Sequence, residues 1–174
     1  MIMEASNVIA IRMAMMEDIE SIAYVLRQAF IAYEPLYPPA AFAGTTPTSD
    51  KIRERWEEGP VWVAIQNDTL VGTVAAKAKD SGLYIRSMAV RPASRGQGIG
   101  RRLLQVCEDF AIHHHHARIF LSTAPYLKEA IRLYEGFGFQ INNEGPHDLF
   151  DLPLFTMAKP LKEEITLNEQ SSHR

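Results

Sequence analysis

Cysteine is nearly absent from this chain, which contains one, Cys107, in 174 residues. A lone cysteine forms no internal disulfide and offers no pair of thiolates for a zinc site. Cys107 falls on the apolar side of a helical pattern, so we expect a small buried hydrophobic residue. Four consecutive histidines at 113–116 would point in different directions from a helix end, so we expect no metal site there. The cysteine content favours a reducing compartment, and we expect a cytoplasmic protein.

The chain also lacks an excess of positive charge, because it has 18 Lys and Arg residues and 21 Asp and Glu residues, which gives a net charge of -3. The basic residues are scattered, so no broad surface suits a nucleic-acid backbone, and we expect no nucleic-acid partner. No apolar run reaches the roughly 18 residues that a membrane span needs, and the start MIMEASN does not resemble a signal peptide. We therefore expect no membrane association.

The apolar spacing predicts one α/β domain over residues 1–161, followed by a polar C-terminal tail at 162–174. The first half predicts a strand, an amphipathic helix and a three-stranded antiparallel meander. The second half alternates strand and helix, which implies a locally parallel pair with a right-handed crossover. The predicted strands are 8–13, 61–65, 70–78, 83–90, 118–123, 139–142 and 155–159.

The segment 33–48 has four prolines among aromatic side chains. The prolines break regular patterns, and we predict an irregular loop there. Its aromatic content is too high for an idle linker, so we expect it to line a site.

Three glycines at alternate positions, Gly96, Gly98 and Gly100, lie between a predicted strand and a predicted helix. Without side chains, successive backbone amides can converge on an anion, and the helix dipole adds attraction. Arg95 can add a direct charge. The spacing fits neither an ATP-binding Walker loop nor the dinucleotide fingerprint, which needs a glycine where Arg101 stands. A glycine-rich turn that only eases the strand-to-helix connection is the alternative.

Two motifs carry a family resemblance. The stretch from Val90 to Gly100, V-R-P-A-S-R-G-Q-G-I-G, resembles the acetyl-CoA signature of the GNAT superfamily of N-acetyltransferases. The stretch from Ala130 to Phe139, A-I-R-L-Y-E-G-F-G-F, is similar to the family's A-x-x-L-Y-x-x-x-G-F segment. The likeness covers about residues 8–161. It implies an α/β (α+β) fold with a mixed, mostly antiparallel sheet of six or seven strands, about four helices, and a splay at the strand before the glycine loop.

The resemblance also implies acetyl-CoA as co-substrate, with no metal. Backbone amides of the glycine loop and the Arg95 side chain would bind the pyrophosphate, assisted by Arg101. Backbone groups of the preceding strand would pair with the pantetheine arm, and the amide of Met88 would polarise the thioester carbonyl. The cofactor-binding residues so implied are Met88, Val90, Arg95, Gly96, Gln97, Gly98, Gly100 and Arg101.

The family's pattern makes Tyr134 the proton donor to the departing thiolate, whereas an isolated tyrosine at this spacing would be read as a core residue. The strand before the loop offers no carboxylate as general base. Tyr84 acting through water, Glu34, His147 and Asp148 are the candidates, and none is assigned.

The acceptor is expected to be a primary amine of a small molecule or peptide, attacked directly in a ternary complex. An apolar wall with a few acids suits a small cationic amine, and a peptide amine stays open. The missing strand carboxylate keeps a second hypothesis open, a catalytically silent domain that binds coenzyme A as a sensor or regulator. An edge strand would also allow a homodimer. The acceptor-side residues proposed are Tyr33, Glu34, Tyr37, Phe42, His147 and Asp148.

Overall fold

The computed structural model describes residues 7–142, 144 and 147–162. Within these residues the chain forms five α-helices and eight β-strands, joined in places by short 3-10 turns. None of these helices is long and apolar enough to cross a membrane. In chain order the elements are β1 (Ile9–Met13), α1 (Ile19–Phe30), α2 (Pro39–Thr45), α3 (Ser49–Glu54), β2 (Val61–Gln66), β3 (Thr69–Lys79), β4 (Gly82–Val90), α4 (Ile99–His113), β5 (Arg118–Thr123), α5 (Lys128–Phe137), β6 (Gln140–Ile141), β7 (His147–Leu149) and β8 (Leu152–Pro160).

The strands form one open sheet in the order β1-β2-β3-β4-β5-β8-β6, and β7 pairs with the first part of β8. Every pair is antiparallel except β4 with β5. A parallel pair needs a long crossover connection, and α4 supplies it. The predicted mixed, mostly antiparallel sheet is confirmed.

Helices cover both faces of the sheet because the central strands are apolar on both sides. In β2, Trp62 and Ala64 pack in the cluster beneath α4, whereas Val63 between them packs against α1. This alternation follows from the period of two in a strand. On α4 the residues at helical spacing that reach the core include Leu103, Cys107 and Ala111, all fully buried.

The parallel pairing of β4 and β5 is short. Only Leu83 with Ile119 and Tyr84 with Phe120 are in register, and the strands then diverge. The edge of β4 that faces β5 therefore has no strand partner over residues 85–90 within the described sheet. The predicted splay before the glycine loop is confirmed.

A β-bulge lies within the splayed part of β4. Between Arg86 and Ala89, β4 places two residues, Ser87 and Met88, opposite the single Val74 of β3. Ser87 adopts a positive φ of 51° to accommodate the extra residue. A bulge bends its strand and redirects the groups that follow. It therefore sets the direction of the backbone at Met88.

The prediction of an irregular loop over 33–48 is wrong, because the segment is mostly helical. A 3-10 turn spans Ile31–Leu36 and α2 follows at Pro39–Thr45. Pro39 stands at the first helical position, where the missing N–H removes no hydrogen bond. Burial of Ala41 and Phe42 fixes the helix against the domain. This element raises the number of helices from about four to five.

We expect opposite effects on stability from two glycine replacements. A Cβ on Gly59 would lie 2.0 Å from the backbone oxygen of Ala76, so Gly59→Ala must displace β3 and should lower the free energy of unfolding by about 1–3 kcal/mol. A Cβ on Gly136, in α5, would meet no heavy atom within 4 Å. Gly136→Ala should raise the free energy of unfolding by up to about 1 kcal/mol, because alanine has the higher helix propensity. Urea unfolding measures both, and equal effects would contradict the close approach at Gly59.

Candidate functional site

The glycine loop needs glycine for its backbone conformation. Gly96 and Gly98 have φ of 79° and 76°, and Gly98 is the N-cap of α4 in the left-handed region. Side chains are strained in that region, and glycine is not. A Cβ on either residue would meet no protein atom within 4 Å. The loop surface above these glycines is therefore open.

The amino end of α4 lacks both a cap and a negative charge. No side chain of the described residues caps it, and its first turn contains no acidic residue. The amide of Arg102 bonds to the oxygen of Gly98 at 3.1 Å, so the amides of Ile99, Gly100 and Arg101 precede the first intrahelical bond. Two arginines in the first turn oppose the positive end of the helix dipole. An anion bound at this end would relieve that repulsion.

The sequence predicts that Gly100 takes part in anion binding, and the structure shows that Gly100 also matters for packing. A Cβ on Gly100 would come within 2.8 Å of a methyl of Leu133 on α5 and 3.4 Å of the Met88 methyl. A side chain at this position would therefore require Leu133 to shift, whereas glycine lets α5 and the end of β4 lie this close to the first turn of α4.

A cleft with a cavity volume of about 340 Å³ opens beside the loop, and we call it the glycine-loop cleft. Its walls come from the C-terminal end of α1, the end of β4, the loop with the start of α4, and α5. The volume falls within the range of small-molecule and cofactor sites. Seven of the eight predicted cofactor-binding residues line it: Met88, Val90, Arg95, Gly96, Gly98, Gly100 and Arg101.

Gln97 is the predicted residue that does not line the cleft. Its side chain accepts a hydrogen bond from Gln66 at 2.7 Å and donates one to the oxygen of Ser94 at 3.3 Å. The side chain is thus engaged with the end of β2 and with its own loop. Gln97 can contribute to the cleft only through its backbone.

Arg95 lines the cleft but is already hydrogen-bonded. Its Nε donates to the Val90 oxygen at 3.3 Å, and its Nη2 donates to the Ala29 oxygen at 3.2 Å. The guanidinium therefore ties the loop to α1. Because a guanidinium has five N–H donors, others remain for an anion.

A second cavity, of about 500 Å³, lies on the other side of the splay, between β4, β5, α2 and the β7–β8 turn. It shares four lining residues with the glycine-loop cleft: Phe30, Met88, Leu127 and Tyr134. The two spaces therefore meet where β4 leaves β5.

Tyr134 lies at this junction, on α5. Its ring packs against Phe139 with centroids 5.9 Å apart, and the residue is half-buried. The hydroxyl makes no hydrogen bond to any residue that the structure describes. Burial, with a smaller effect of the nearby Tyr37, raises the pKa of Tyr134 to about 12. The hydroxyl is thus protonated at neutral pH and has no partner within the described chain.

Two of the proposed acceptor-side residues line a cavity. Tyr37 lines the second cavity, and Tyr33 lines the glycine-loop cleft instead. Glu34 lies exposed in the 3-10 turn and lines neither space. Phe42 is buried behind Tyr37, their ring centroids 6.0 Å apart, and also lines neither.

The remaining candidates differ in position. Tyr84, considered as a base through water, lines the second cavity. Asp148 is exposed on β7 and lines neither cavity. His147 begins β7, and its side chain lies outside the part of the chain that the structure describes.

Sequence reasoning missed the charged residues of the second cavity, which are Arg55, Glu58, Lys77 and Arg86. Glu58 forms ion pairs with Arg86 and, at 3.6 Å, with Lys77. Hydrogen bonding from Arg86, with a smaller contribution from Lys77, lowers the pKa of Glu58 despite opposing desolvation.

The sequence contained one indication of these charged residues. Lys77 and Arg86 interrupt two apolar strands, and the register pairs Lys77 with Tyr84 and Ala75 with Arg86. Residues two apart on paired strands share a face. The register, and so the shared face, was not readable from the sequence.

These features define a protein with an open, glycine-rich loop at an uncapped helix start, placed where a parallel strand pair splays. Residues 25–139 match the acetyltransferase (GNAT) family, about two thirds of the chain. The chain belongs to this family, and the predicted family is confirmed.

Individual relatives agree with this assignment. The human N-acetylaspartate synthetase is 33% identical over 99 residues, which are 56% of this chain and 32% of that protein. The chain matches about a third of the length of the vertebrate N-acetylaspartate synthetases.

Solved structures share the fold. The PaiA N-acetyltransferase of Thermoplasma acidophilum, in complex with coenzyme A, superposes with a TM-score of 0.73 at 18% identity, over 88% of this chain and 99% of that one. An acetyltransferase of Salmonella typhimurium with acetyl-CoA has a TM-score of 0.69 at 23% identity, over 91% and 97%.

We predict that Cys107 is unreactive in the folded protein. The residue is fully buried, and burial raises the pKa of its thiol far above the usual range, so almost no thiolate is present at pH 8. A chromogenic disulfide reagent should therefore label it slowly in buffer and rapidly in denaturing urea. Rapid stoichiometric labelling without denaturant would contradict the burial.

Proposed function

We propose that this chain transfers an acetyl group from acetyl-CoA to the primary amine of a small molecule. The observation that carries the proposal is the meeting of two cavities at Met88 and Tyr134. One cavity has an anion-binding loop, and the other is free for an acceptor. A domain that only retained coenzyme A would need no second cavity opening on the first.

The residues of the glycine-loop cleft fit coenzyme A. The amides of Gln97, Gly98 and Gly100 bind the pyrophosphate, because Gly100 lies in the uncapped first turn of α4 and Gln97 and Gly98 lie in the loop directly before it. Arg95 and Arg101 add positive charge to the same cleft. The cofactor-bound structures of relatives support this assignment of the donor.

The splayed edge of β4 holds the pantetheine arm. Residues 85–90 have no strand partner on the β5 side, so their backbone groups can pair with an extended ligand. Met88 and Val90 both line the cleft. The bulge directs the Met88 amide, which serves as the donor to the thioester oxygen.

Acetyl-CoA supplies the acetyl group as a thioester, so an amine nitrogen bonds to the carbonyl carbon, the carbon–sulfur bond breaks and a thiolate leaves. Tyr134 donates a proton towards that thiolate, because its hydroxyl is protonated and makes no other bond within the described chain. The Met88 amide stabilises negative charge on the oxygen.

We assign no side chain as general base. Glu58 is the one carboxylate that the described chain contributes to the second cavity, and Arg86 lowers its pKa, which makes it a weak base. The acceptor therefore reacts as the neutral amine, the attacking nitrogen releases a proton to solvent as the amide forms, and solvent restores the proton that Tyr134 gives to the thiolate. The experiment that tests the function is thiol release from acetyl-CoA with a panel of amines, and the burial of Cys107 removes the protein's own thiol from the assay.

Placing a methyl group in the loop should weaken cofactor binding. In Gly98→Ala the methyl would occupy open cleft space, so we expect the Kd for coenzyme A to rise at least tenfold, measured by calorimetry. Gly138→Ala is the control, because Gly138 has a φ of 109° and lies outside the cleft. Both variants should lose about 1–2 kcal/mol of stability from backbone strain. An unchanged Kd in Gly98→Ala would contradict the pyrophosphate site.

Removing one oxygen from Tyr134 should separate catalysis from packing. Tyr134→Phe keeps the ring, so we expect Tm and acetyl-CoA affinity to stay near wild type while kcat falls by roughly 10²- to 10⁴-fold, as for a lost general acid. With a pKa of about 12, the wild-type hydroxyl should cause no alkaline loss of rate below about pH 10.

Tyr24→Phe serves as the control for this replacement, because Tyr24 is exposed on α1 and lines neither cavity. It should leave kcat unchanged. A Tyr134→Phe variant with normal turnover and reduced stability would assign Tyr134 to the core instead.

A further inference from the structure

The charge of the second cavity is uneven. Among the residues that the structure describes, its ionisable lining apart from tyrosines consists of Arg55, Lys77 and Arg86 with one carboxylate, Glu58. Three cations and one anion leave a net charge of +2 on a cavity within a chain whose net charge is -3. The local excess is therefore opposite in sign to the whole protein.

Glu58 neutralises only part of this excess. It pairs with Lys77 and Arg86, whereas Arg55 makes no side-chain hydrogen bond or ion pair to any described residue. Arg55 is half-buried, so its guanidinium is partly removed from water without a compensating anion. Guanidinium groups bind carboxylates through paired hydrogen bonds. An acceptor that carries a carboxylate would supply the Arg55 guanidinium with an anionic partner.

We propose that the acceptor is a small primary amine that carries a carboxylate, and that Arg55, with Lys77 and Arg86, holds that carboxylate. The proposal rests on the acetyl-transfer function above and adds the class of acceptor. It reverses the sequence-based expectation of a cationic amine, because that expectation used Glu34 and Asp148, which line neither cavity.

The geometry also limits the size of the acceptor. Arg86 stands two residues before Met88 on β4, and because the bulge lies between them they are separated by at most the roughly 7 Å that two residues of a regular strand span. The carboxylate and the attacking nitrogen are therefore separated by a few bonds. The cavity is also bounded: the Phe150 ring lies 3.6 Å from the Cβ position of Gly44, so the β7–β8 turn approaches α2.

A buried hydroxyl adds a polar group to the same space. Thr123 lines the second cavity and is 4% exposed, and its hydroxyl has no hydrogen-bond partner in the described structure. Buried hydroxyls are rarely left unpaired. Its position in β5, opposite the cationic residues of β3 and β4, supports a polar ligand in this cavity.

The test compares each of several amino acids with its own carboxamide, and with the diamine putrescine, in thiol release from acetyl-CoA. Each pair shares the amine and the side chain and differs in the carboxylate. We expect at least one amino acid to be acetylated with a kcat/KM ten or more times that of its amide. Amides or putrescine reacting equally well or better would overturn the proposal while leaving acetyl transfer established.

The variant Arg55→Gln tests whether the preference for a carboxylate arises in the second cavity. It should raise the KM for the preferred amino acid at least tenfold and leave both the KM for the corresponding amide and the Kd for acetyl-CoA unchanged. Arg55→Lys, which keeps the positive charge, should raise the KM for the amino acid less. Arg53→Gln is the matched control, because Arg53 lies on the exposed side of α3, paired with Asp50 at 3.0 Å, and lines neither cavity. Retained preference for the carboxylate in Arg55→Gln would overturn the role of Arg55.

Binding separates this proposal from the proposed function. Calorimetry of the same amino acids with the coenzyme A-loaded protein needs no turnover. Binding that depends on Arg55 without acetylation of any amine would support the carboxylate site and refute acetyl transfer. Amino acids that neither bind nor react would overturn the carboxylate site.

Discussion

The divergence of β4 from β5 is the constraint on which the site depends. Two registered pairs hold the parallel strands together, and the bulge at Ser87 and Met88 then turns β4 away. Without that separation the backbone groups at this edge of β4 would be hydrogen-bonded to β5. The two cavities would also be closed by sheet hydrogen bonds. The unpaired edge thus supplies both the space and the backbone donors of the site.

An open sheet edge inside a domain costs stability, because unpaired backbone groups need other partners. Packing around the splay offsets that cost. α1 covers one face and α4 the other, and Gly100 lets α5 approach within contact distance of the α4 start. The left-handed φ angles of the loop fall on Gly96 and Gly98, which adopt them without steric strain. The domain therefore tolerates the gap by surrounding it with well-packed helices.

The parts of the molecule that depend on local sequence could be predicted from it. The glycine spacing and the stripe through Leu103 and Cys107 identified the loop and α4, and the order of elements indicated the antiparallel meander and the parallel pair. The helix α2 was missed because proline was read as a breaker, although Pro39 occupies the one helical position where it is neutral. The roles assigned to the loop residues and to Tyr134 stay predictions.

The acceptor side could not be predicted because its lining converges from distant segments. Arg55 follows α3, Lys77 lies on β3 and Arg86 on β4, and no sequence spacing relates them. Only the register of β3 with β4, which is unbroken from the Lys79–Gly82 pair to the Ala75–Arg86 pair, brings Lys77 and Arg86 to one face beside Glu58. Net charge was equally uninformative, since a chain at -3 surrounds a cavity at +2. The proposed donor site therefore lies mostly in one continuous motif, whereas the proposed acceptor site is assembled from distant segments, so chains that share the motif can differ in acceptor.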